Sequence, residues 1–282
     1  MARLKRAAAI HDISGIGKCS LTVALPILSA AGIECAAIPT AVLSTHTGGI
    51  DGFTYRDLTD EIFPIAQHWS NLNLKFDSIY TGYLGNVQQI DIVLKTIDLL
   101  KSKDTLILVD PVMADAGELY KNFDMSFPKK MLQLCKKADI LIPNITEACL
   151  LTDTPYEKGP YSKDYIENLI EKLRLITDKK IVLTGVHFDD DTLGCACLDE
   201  NNSQIEYCFT KQIHGFYHGT GDIFGSVLLS CVMKGKSLKD SAQIAAEFTA
   251  GAIKRTKEDN TDVRFGVRFE DELPNLIKAL NR

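Results

Sequence analysis

Residues 105–117 read TLILVDPVMADAG, an apolar run that ends abruptly in acidic residues and a glycine. A continuous run of Leu, Ile and Val predicts a strand, here Thr105–Asp110, with both faces covered by other elements. In open α/β sheets, ligands bind in the crevice beyond the carboxyl ends of such strands. The stretch therefore predicts an α/β fold with a ligand site just after Asp110.

Apolar runs of the same kind recur along the chain and alternate with amphipathic stretches of helix length. This alternation is typical of βαβ units, so we expect a central, mainly parallel sheet with helices on both faces. The predicted strands are Ala7–Ile10, Cys35–Val42, Ser78–Thr81, Thr105–Asp110, Ile140–Pro143 and Ile181–Thr184. The predicted helices are Lys18–Ala31, Leu58–Asn71, Val87–Leu100, Phe127–Lys137, Lys163–Thr177, Thr220–Met233, Leu238–Lys257 and Glu270–Leu280. An antiparallel hairpin of Gly194–Leu198 and Gln204–Phe209, joined by the polar turn Asp199–Asn202, is predicted at the sheet edge.

The composition indicates a globular protein and argues against a nucleic-acid or membrane partner. The 282 residues, 45% of them apolar and 24% charged, suit a globular protein with a large core. No Pro- or Ser-rich linker and no internal repeat divides the sequence, so residues 1–282 are expected to form one domain. The net charge of −6, without a basic stripe, argues against a nucleic-acid partner. No apolar run approaches the roughly eighteen residues that a membrane-spanning helix needs, so we expect no membrane partner.

The beginning of the chain and its cysteines favour a cytoplasmic location. The first residues, MARLKRAAAI, are basic and then apolar, but Asp12 ends the apolar stretch too early for a secretory signal. Eight cysteines lie mostly inside apolar runs, which favours reduced, buried thiols. Cys195 and Cys197 share a face of a predicted strand and are expected in the core. No second close pair completes a structural zinc site.

The segment Gly15–Ser20, with the sequence GIGKCS, follows a predicted strand and precedes a predicted helix. A phosphate-binding P-loop would need a glycine where Asp12 stands and a hydroxyl residue where Cys19 stands. The dinucleotide fingerprint fails as well, because its third glycine position holds Ser20. The segment is therefore predicted to be a flexible turn that exposes the Asp12 carboxylate.

A second glycine-rich motif, His218–Phe224 with the sequence HGTGDIF, opens a predicted apolar helix. Two glycines allow successive backbone N–H groups to converge, and the helix N-terminus adds partial positive charge, so the motif can form an anion hole. Asp222, in the first helical turn, can then accept the proton of an attacking hydroxyl group. The alternative is that Thr220 caps the helix and Asp222 is an ordinary first-turn acid.

Polar residues follow two further strands. Asp110 can hold a hydrated Mg²⁺ ion, or it can simply end its strand in an Asp-Pro turn. Glu147 can reach the same ion, and Asn144 can contact a phosphate. Because Asn144 and Glu147 lie three residues apart at a predicted helix start, they also fit a capping box. Taken singly, none of these motifs decides the function.

Taken together and in this order, the motifs resemble the ribokinase superfamily, and specifically its pyridoxal kinase branch. The matching segments run from about residue 7 to residue 256. The resemblance implies a ribokinase-like fold and ATP-dependent, in-line phosphorylation of the primary alcohol of a vitamin B6 vitamer (pyridoxal, pyridoxine or pyridoxamine) in B6 salvage. It also implies Mg²⁺, a homodimer and, as in many superfamily relatives, a response to K⁺.

The same resemblance assigns roles to individual residues. Asp222 matches the general base, and Gly219, Thr220 and Gly221 match the anion hole. The positions that match the substrate site are Asp12, His46, Thr47 and Tyr83. The positions that match ATP contacts are Asn144, Glu147, Thr184 and Tyr120, and those that match the metal site are Asp110 and Glu147.

Departures from the branch leave the substrate open. Asp12 stands where these kinases carry a serine, and we hypothesise that it favours a vitamer with a protonated ring nitrogen or an amine. Ser14–Gly17 is more similar to the hydroxymethylpyrimidine kinases, and Ala41 and Leu43 stand where larger residues usually floor the ring pocket. The alternatives are therefore a hydroxymethylpyrimidine kinase or another ribokinase-like small-molecule kinase. A non-catalytic vitamer-binding or sensory protein is a further alternative, against which the intact Asp222 and Glu147 argue.

Overall fold

A nine-stranded sheet lies at the centre of the computed structural model, which describes residues 3–200, 202 and 204–281. Its strands are β1 (Arg6–Ile16), β2 (Glu34–Thr45), β3 (Tyr55–Asp57), β4 (Ser78–Thr81), β5 (Leu106–Val109), β8 (Ile140–Leu141), β9 (Lys180–Val186), β10 (Thr192–Leu198) and β11 (Glu206–Lys211). A separate two-stranded ribbon is formed by β6 (Ala114–Asp115) and β7 (Glu118–Leu119).

The strands are arranged in the order β11-β10-β9-β8-β5-β4-β1-β2-β3. The strands from β9 to β2 pair in parallel, and β3, β10 and β11 pair antiparallel at the two edges. The predicted α/β class with a mainly parallel sheet is confirmed, and so is the antiparallel edge hairpin of β10 and β11. The predicted turn of that hairpin includes Asn201, which lies outside the described residues.

Helices cover both faces of the sheet. They are α1 (Leu21–Ala30), α2 (Thr59–Asn71), α3 (Val87–Leu100), α4 (Ser126–Cys135), α5 (Ile145–Thr152), α6 (Lys163–Leu173), α7 (Thr220–Met233), α8 (Leu238–Glu258) and α9 (Leu273–Leu280). Two 3₁₀ turns, Val263–Phe265 and Glu270–Glu272, precede α9. Helices α2 to α6 pack into one apolar core, and α1, α7, α8 and α9 pack into a second core on the opposite face.

The apolar run at residues 105–109 behaves as its composition predicts. Ile107 and Val109 pack into the core of α2 to α6, whereas Leu108 packs into the core on the other face. All three side chains are fully buried. A strand that is apolar on both faces has to lie inside a covered sheet, and β5 lies between β4 and β8.

The largest difference from the prediction is at β1, which continues to Ile16 instead of ending at Ile10. Up to Ile10 this strand pairs with both β2 and β4, and beyond a bulge between His11 and Ile13 it pairs with β2 alone. The ladder with β2 satisfies the backbone N–H and C=O groups there, so the strand continues without an apolar sequence. The prediction that Asp12 lies on a flexible, exposed turn is therefore wrong, because Asp12 lies inside β1 and is only 4% exposed.

Smaller differences also have local causes. Helix α1 begins at Leu21 instead of Lys18, because Lys18 and Ser20 have φ angles of 49° and 53°. Those left-handed conformations cannot belong to a right-handed helix. Strand β3 and the β6–β7 ribbon are not visible in the sequence pattern, because strands of two or three residues show no periodicity.

The cysteines are free thiols, as the sequence predicts. Seven of the eight are buried, and Cys35 is partly buried. Among the described helices, none is both long enough and apolar enough to cross a lipid bilayer.

Candidate active site

The segments that follow several parallel strands meet the first turn of α7 at the carboxyl ends of those strands. His11, where β1 separates from β4, has its Nδ1 atom 3.8 Å from Oδ1 of Asp222. Asp110, directly after β5, is close enough to Glu147 and Asp222 for their charges to act on it. Glu147 lies in the first turn of α5, which follows β8. The polar residues that the sequence places after separate strands are therefore neighbours in the fold.

The beginning of α7 has the backbone shape that an anion hole requires. Gly219 is the N-cap residue, with a φ of 75° in the left-handed region. A Cβ atom at this position would overlap the carbonyl oxygen of Lys18, so glycine suits both the conformation and the contact. Within the described part of the chain, the backbone N–H groups of residues 219–222 donate no hydrogen bond. These donors are available to an anion at the positive end of the helix.

The next two residues of this motif have different roles. Thr220, which the sequence offered as a possible cap, is the first helical residue, and its hydroxyl donates to the carbonyl oxygen of Tyr217 at 3.3 Å. Gly221 is exposed, and a Cβ atom built on it would meet no atom within 4 Å. The strict requirement for glycine therefore applies to Gly219, while the space around Gly221 leaves room beside the free N–H groups.

Asp222 completes this turn as a largely buried carboxylate whose side chain is 15% exposed. Burial raises its pKa to about 7; the backbone N–H of Ser20 offsets part of this effect and the charge of Asp12 adds to it. No lysine or arginine within the described residues forms an ion pair with Asp222. A carboxylate that titrates near neutral pH is suited to accept a proton from a hydroxyl group.

His11 adjoins Asp222, although the sequence assigned it no role in the site. Its ring is fully buried, and neither ring nitrogen has a hydrogen-bond partner among the described residues. Burial lowers its pKa to about 3, so the ring stays neutral at physiological pH. It packs edge-on against the ring of Tyr80, with centroids 4.3 Å apart. A neutral His11 does not supply the positive charge that would return the pKa of Asp222 to its ordinary range.

Asp110 and Glu147 are two further buried carboxylates beside Asp222. Each oxygen of Glu147 accepts one backbone N–H, from Met113 at 3.1 Å and from Asn144 at 2.9 Å, yet burial raises its pKa to about 8. Asp110 accepts no hydrogen bond within the described chain. Burial and the charges of Glu147 and Asp222 raise the pKa of Asp110 well above its ordinary value. This uncompensated negative charge, on oxygen ligands, fits a divalent cation such as Mg²⁺.

Asn144 and Glu147 form the capping box that the sequence offered as an alternative. Asn144 Oδ1 accepts the Glu147 N–H at 2.9 Å, and Nδ2 donates to the carbonyl oxygen of Ala114 at 2.8 Å. Both the oxygen and the nitrogen of the Asn144 side-chain amide thus form hydrogen bonds within the protein. Thr184 pairs with this segment, and its hydroxyl donates to the carbonyl oxygen of Pro143 at 3.3 Å.

Tyr120 follows the β6–β7 ribbon on the same side of the crevice. Its backbone N–H donates to the carbonyl oxygen of Met113 at 3.0 Å. Burial and the nearby charge of Glu147 raise the pKa of the Tyr120 hydroxyl. Tyr120 is therefore close to the carboxylate group that contains Asp110 and Glu147.

The predicted substrate loop after β2 lies directly against the residue that precedes the N-cap of α7. His46 Nδ1 accepts the N–H of Gly48 at 3.0 Å, and Nε2 contacts the carbonyl oxygen of Arg264. The His46 ring lies 4.5 Å from the ring of His218, the residue before the anion hole, and a Cβ atom on Gly48 would overlap His218. His46 thus fixes the loop through both ring nitrogens, and Thr47 beside it is exposed.

Asp12 and Tyr83 lie within electrostatic range of each other. Asp12 accepts hydroxyl hydrogen bonds from Ser14 at 2.9 Å and from Ser20 at 2.5 Å, while burial raises its pKa. Burial also raises the pKa of Tyr83, and the charge of Asp12 contributes. Burial raises the pKa of the Tyr55 hydroxyl on the short strand β3, and the charges of Tyr83 and Asp12 contribute. The sequence pattern did not indicate Tyr55, because only the pairing of β3 with β2 brings it to this site.

Comparison with known proteins identifies the class. The family described as phosphomethylpyrimidine kinase matches residues 25–265. A Bacteroides thetaiotaomicron protein that carries the provisional name phosphomethylpyrimidine kinase, solved with pyridoxal, is 40% identical, with coverage of 97% of this chain and 96% of that chain and a TM-score of 0.90. Pyridoxal kinase from Lactobacillus plantarum is 35% identical, with coverage of 99% and 98% and a TM-score of 0.90. A pyridoxal kinase from Dictyostelium discoideum is 30% identical over 171 residues, or 57% of this chain and 55% of that enzyme's length.

The chain belongs to the phosphomethylpyrimidine kinase family of the ribokinase superfamily. Its relatives place it in the branch that contains the pyridoxal kinases. It is thus a phosphotransferase that acts on an alcohol group, and the predicted ribokinase-like fold is confirmed. These findings leave both B6 vitamers and pyrimidines as acceptors.

Gly219→Ala is expected to lower the free energy of unfolding by about 1–2 kcal/mol or more, because alanine resists a left-handed conformation and its Cβ would overlap Lys18. Gly221→Ala, the matched control two residues later, meets open space and should change that free energy by about 1 kcal/mol or less. Urea unfolding measures both. Equal destabilisation by the two variants would contradict the described start of α7.

Asp222→Asn is expected to make the fold less sensitive to rising pH. The folded-state pKa of Asp222, about 7, lies above its unfolded value, so its contribution is present below the unfolded pKa and is lost as pH rises through 7. The stability gained by the variant relative to wild type should grow between pH 5 and pH 8, reaching about 1 kcal/mol or more. Urea unfolding across this range measures it, and a difference that stays constant would show that Asp222 is not buried as described.

Proposed function

We propose that this protein transfers the γ-phosphoryl group of ATP to the primary alcohol of a B6 vitamer, with Asp222 as the general base. The observation that carries the proposal is the first turn of α7, where free backbone N–H groups stand beside a carboxylate with a pKa of about 7. An anion hole next to a proton acceptor is what in-line phosphoryl transfer requires of a protein. Membership of a kinase family supports the same reaction.

In the proposed reaction, Asp222 takes the proton of the alcohol as the alcohol oxygen bonds to the γ-phosphorus. The bond from that phosphorus to the bridging oxygen breaks, and ADP leaves. The N–H groups of Gly219, Thr220, Gly221 and Asp222 stabilise the negative charge on the transferring phosphoryl oxygens. Because Asp222 must be ionised to act, its pKa of about 7 leaves about half of the protein active at pH 7 and makes the carboxylate a stronger base than an ordinary aspartate.

Asp110 and Glu147 are the residues that would hold Mg²⁺, and the ion, when bound, neutralises charge on the ATP phosphates. Asp110 is the better direct ligand, because Glu147 already accepts a backbone N–H on each oxygen. Asn144, Thr184 and Tyr120 are proposed to contact ATP on the same side of the crevice. The response to K⁺, the homodimer, the cytoplasmic location and the single domain stay predictions from the sequence.

A B6 vitamer is the favoured acceptor because the relative at 40% identity was solved with pyridoxal and the one at 35% identity is a pyridoxal kinase. We assign Asp12, Thr47 and Tyr83 to the ring site, with His46 fixing the loop that carries Thr47. Hydroxymethylpyrimidine is the second candidate, because the matching family is described as phosphomethylpyrimidine kinase. Both acceptors are nitrogen-containing aromatic rings with a hydroxymethyl group, so the same base and anion hole serve either.

Asp222→Asn should lower turnover by about 10²–10⁴-fold, since the variant cannot accept the proton, while ATP still binds. Wild-type turnover should rise as pH increases through about 7, where Asp222 ionises. Steady-state kinetics and ATP titration measure these effects. Asp164→Asn, an exposed first-turn aspartate of α6, is the matched control and should keep wild-type turnover. Near-normal turnover in Asp222→Asn would exclude Asp222 as the base.

ADP formation with pyridoxal, pyridoxine, pyridoxamine, hydroxymethylpyrimidine and ribose tests the acceptor, and we expect the highest kcat/KM with a B6 vitamer. In thermal unfolding with MgATP, the true acceptor at one hundred times its Kd should stabilise the protein by about 2.7 kcal/mol. A higher kcat/KM with hydroxymethylpyrimidine would favour the second candidate. If Asp12→Asn leaves the ranking of the vitamers unchanged, Asp12 does not select among them.

A further inference from the structure

Three cysteines gather on the edge hairpin of β10 and β11. Cys195 and Cys197 are two residues apart on β10, so their side chains share a face, and Cys208 on β11 is the register partner of Cys195. The three sulfur atoms all lie within 4.8 Å of one another, and those of Cys195 and Cys197 are 3.8 Å apart. The sequence revealed the close pair but not the third thiol, which strand pairing brings in from the other side of the turn.

The separation of the Cys195 and Cys197 sulfur atoms is that of two ligands of one metal ion, and the third sulfur atom lies close enough to join them. A Zn–S bond of about 2.3 Å places two sulfur atoms of a tetrahedral site about 3.8 Å apart, which equals the observed separation of Cys195 and Cys197. A disulfide would require a much shorter separation, of about 2.05 Å. The three ligands are also fixed in advance, because all of them lie on hydrogen-bonded strands.

The surroundings of the three thiols form a closed site. Cys195, Cys197 and Cys208 are 0%, 2% and 1% exposed, and the carbonyl oxygen of Lys239, in the first turn of α8, lies 3.5 Å from the sulfur of Cys208. The three sulfur atoms are therefore shielded from solvent, as the ligands of a structural metal site usually are.

We propose that Cys195, Cys197 and Cys208 bind one thiophilic metal ion, Zn²⁺ or Cu⁺, which links strand β10 to strand β11. Soft sulfur ligands select ions of this kind, whereas Mg²⁺ prefers carboxylate oxygens. Binding displaces the thiol protons to solvent, so that three thiolates surround the ion. None of the three cysteines belongs to the proposed kinase machinery, and this site does not depend on the phosphoryl-transfer proposal.

Metal retention tests the site directly. The reduced wild-type protein is incubated without oxygen with Zn²⁺, Cu⁺ or Mg²⁺, freed of unbound ions by desalting, and subjected to elemental analysis. We expect about one Zn²⁺ or Cu⁺ ion per chain and no retained Mg²⁺, and competition with a chelator compares the affinities of the two ions. Changing any one of Cys195, Cys197 and Cys208 to Ala should weaken metal binding by at least about 10–100-fold. That is the loss expected even for a residue that only hydrogen-bonds to a metal ligand. Cys135→Ala, at a fully buried cysteine of α4, should retain the ion.

A second measurement requires no substitution and so cannot be confused with misfolding. Cysteine alkylation of the wild-type protein is followed residue by residue by mass spectrometry, with and without the ion. We expect bound Zn²⁺ or Cu⁺ to slow the labelling of Cys195, Cys197 and Cys208 by about tenfold or more, as ligation closes local openings of the hairpin. Cys35, which is partly buried and outside the cluster, should label at an unchanged rate. Equal metal retention by folded alanine variants, or unchanged labelling of all three cysteines, would overturn the proposal.

Discussion

Three carboxylates, those of Asp110, Glu147 and Asp222, are held together in the protein interior without a lysine or arginine ion pair among the described residues. Burial is the main cause of the raised pKa of all three groups, and for Asp110 the charges of Glu147 and Asp222 add to it. The sheet imposes the arrangement, because Asp110 directly follows β5 and backbone N–H groups hold Glu147 on both oxygens. A divalent cation bound at Asp110 and Glu147 would offset this cost, which agrees with the proposed Mg²⁺ site.

The segment Gly15–Ser20, which is not a P-loop, has a structural role in the anion hole. Its Lys18 carbonyl oxygen occupies the place where a side chain on Gly219 would lie, and the Gly17 carbonyl oxygen does the same for Gly266 in the C-terminal part of the chain. Lys18 also pairs with Glu270 at 2.9 Å. The left-handed residues that delay the start of α1 therefore bring this segment between the first turn of α7 and the C-terminal turns. Its own glycines lie close to the loop after β2, where a Cβ atom on Gly17 would overlap the His46 ring.

The residues proposed for phosphoryl transfer and the residues proposed to contact the acceptor ring lie in different parts of the chain. The base and the free N–H groups belong to the first turn of α7, whereas the candidate ring contacts come from β1, from the loop after β2 and from the segment after β4. Because His46 and His218 pack together, the two parts are joined where the acceptor would meet the phosphoryl group. The two parts are coupled electrostatically, because the charge of Asp12 contributes to the raised pKa of Asp222.

The sequence by itself determined the elements whose signals lie between neighbours along the chain. The predicted bounds of β4 and α3 equal the observed ones, because an apolar run defines the strand and Asn86 caps the helix by accepting the Gln89 N–H at 2.9 Å. Asp222 likewise lies in the first helical turn, as its motif predicts. The tertiary structure alone decided that Asp12 is buried, that the neutral His11 adjoins Asp222, and that Cys208 joins Cys195 and Cys197. Each of these depends on strand pairing or packing between residues far apart in sequence. Such contacts impose no periodicity or motif on the residues next to them in the chain, so the sequence does not reveal them.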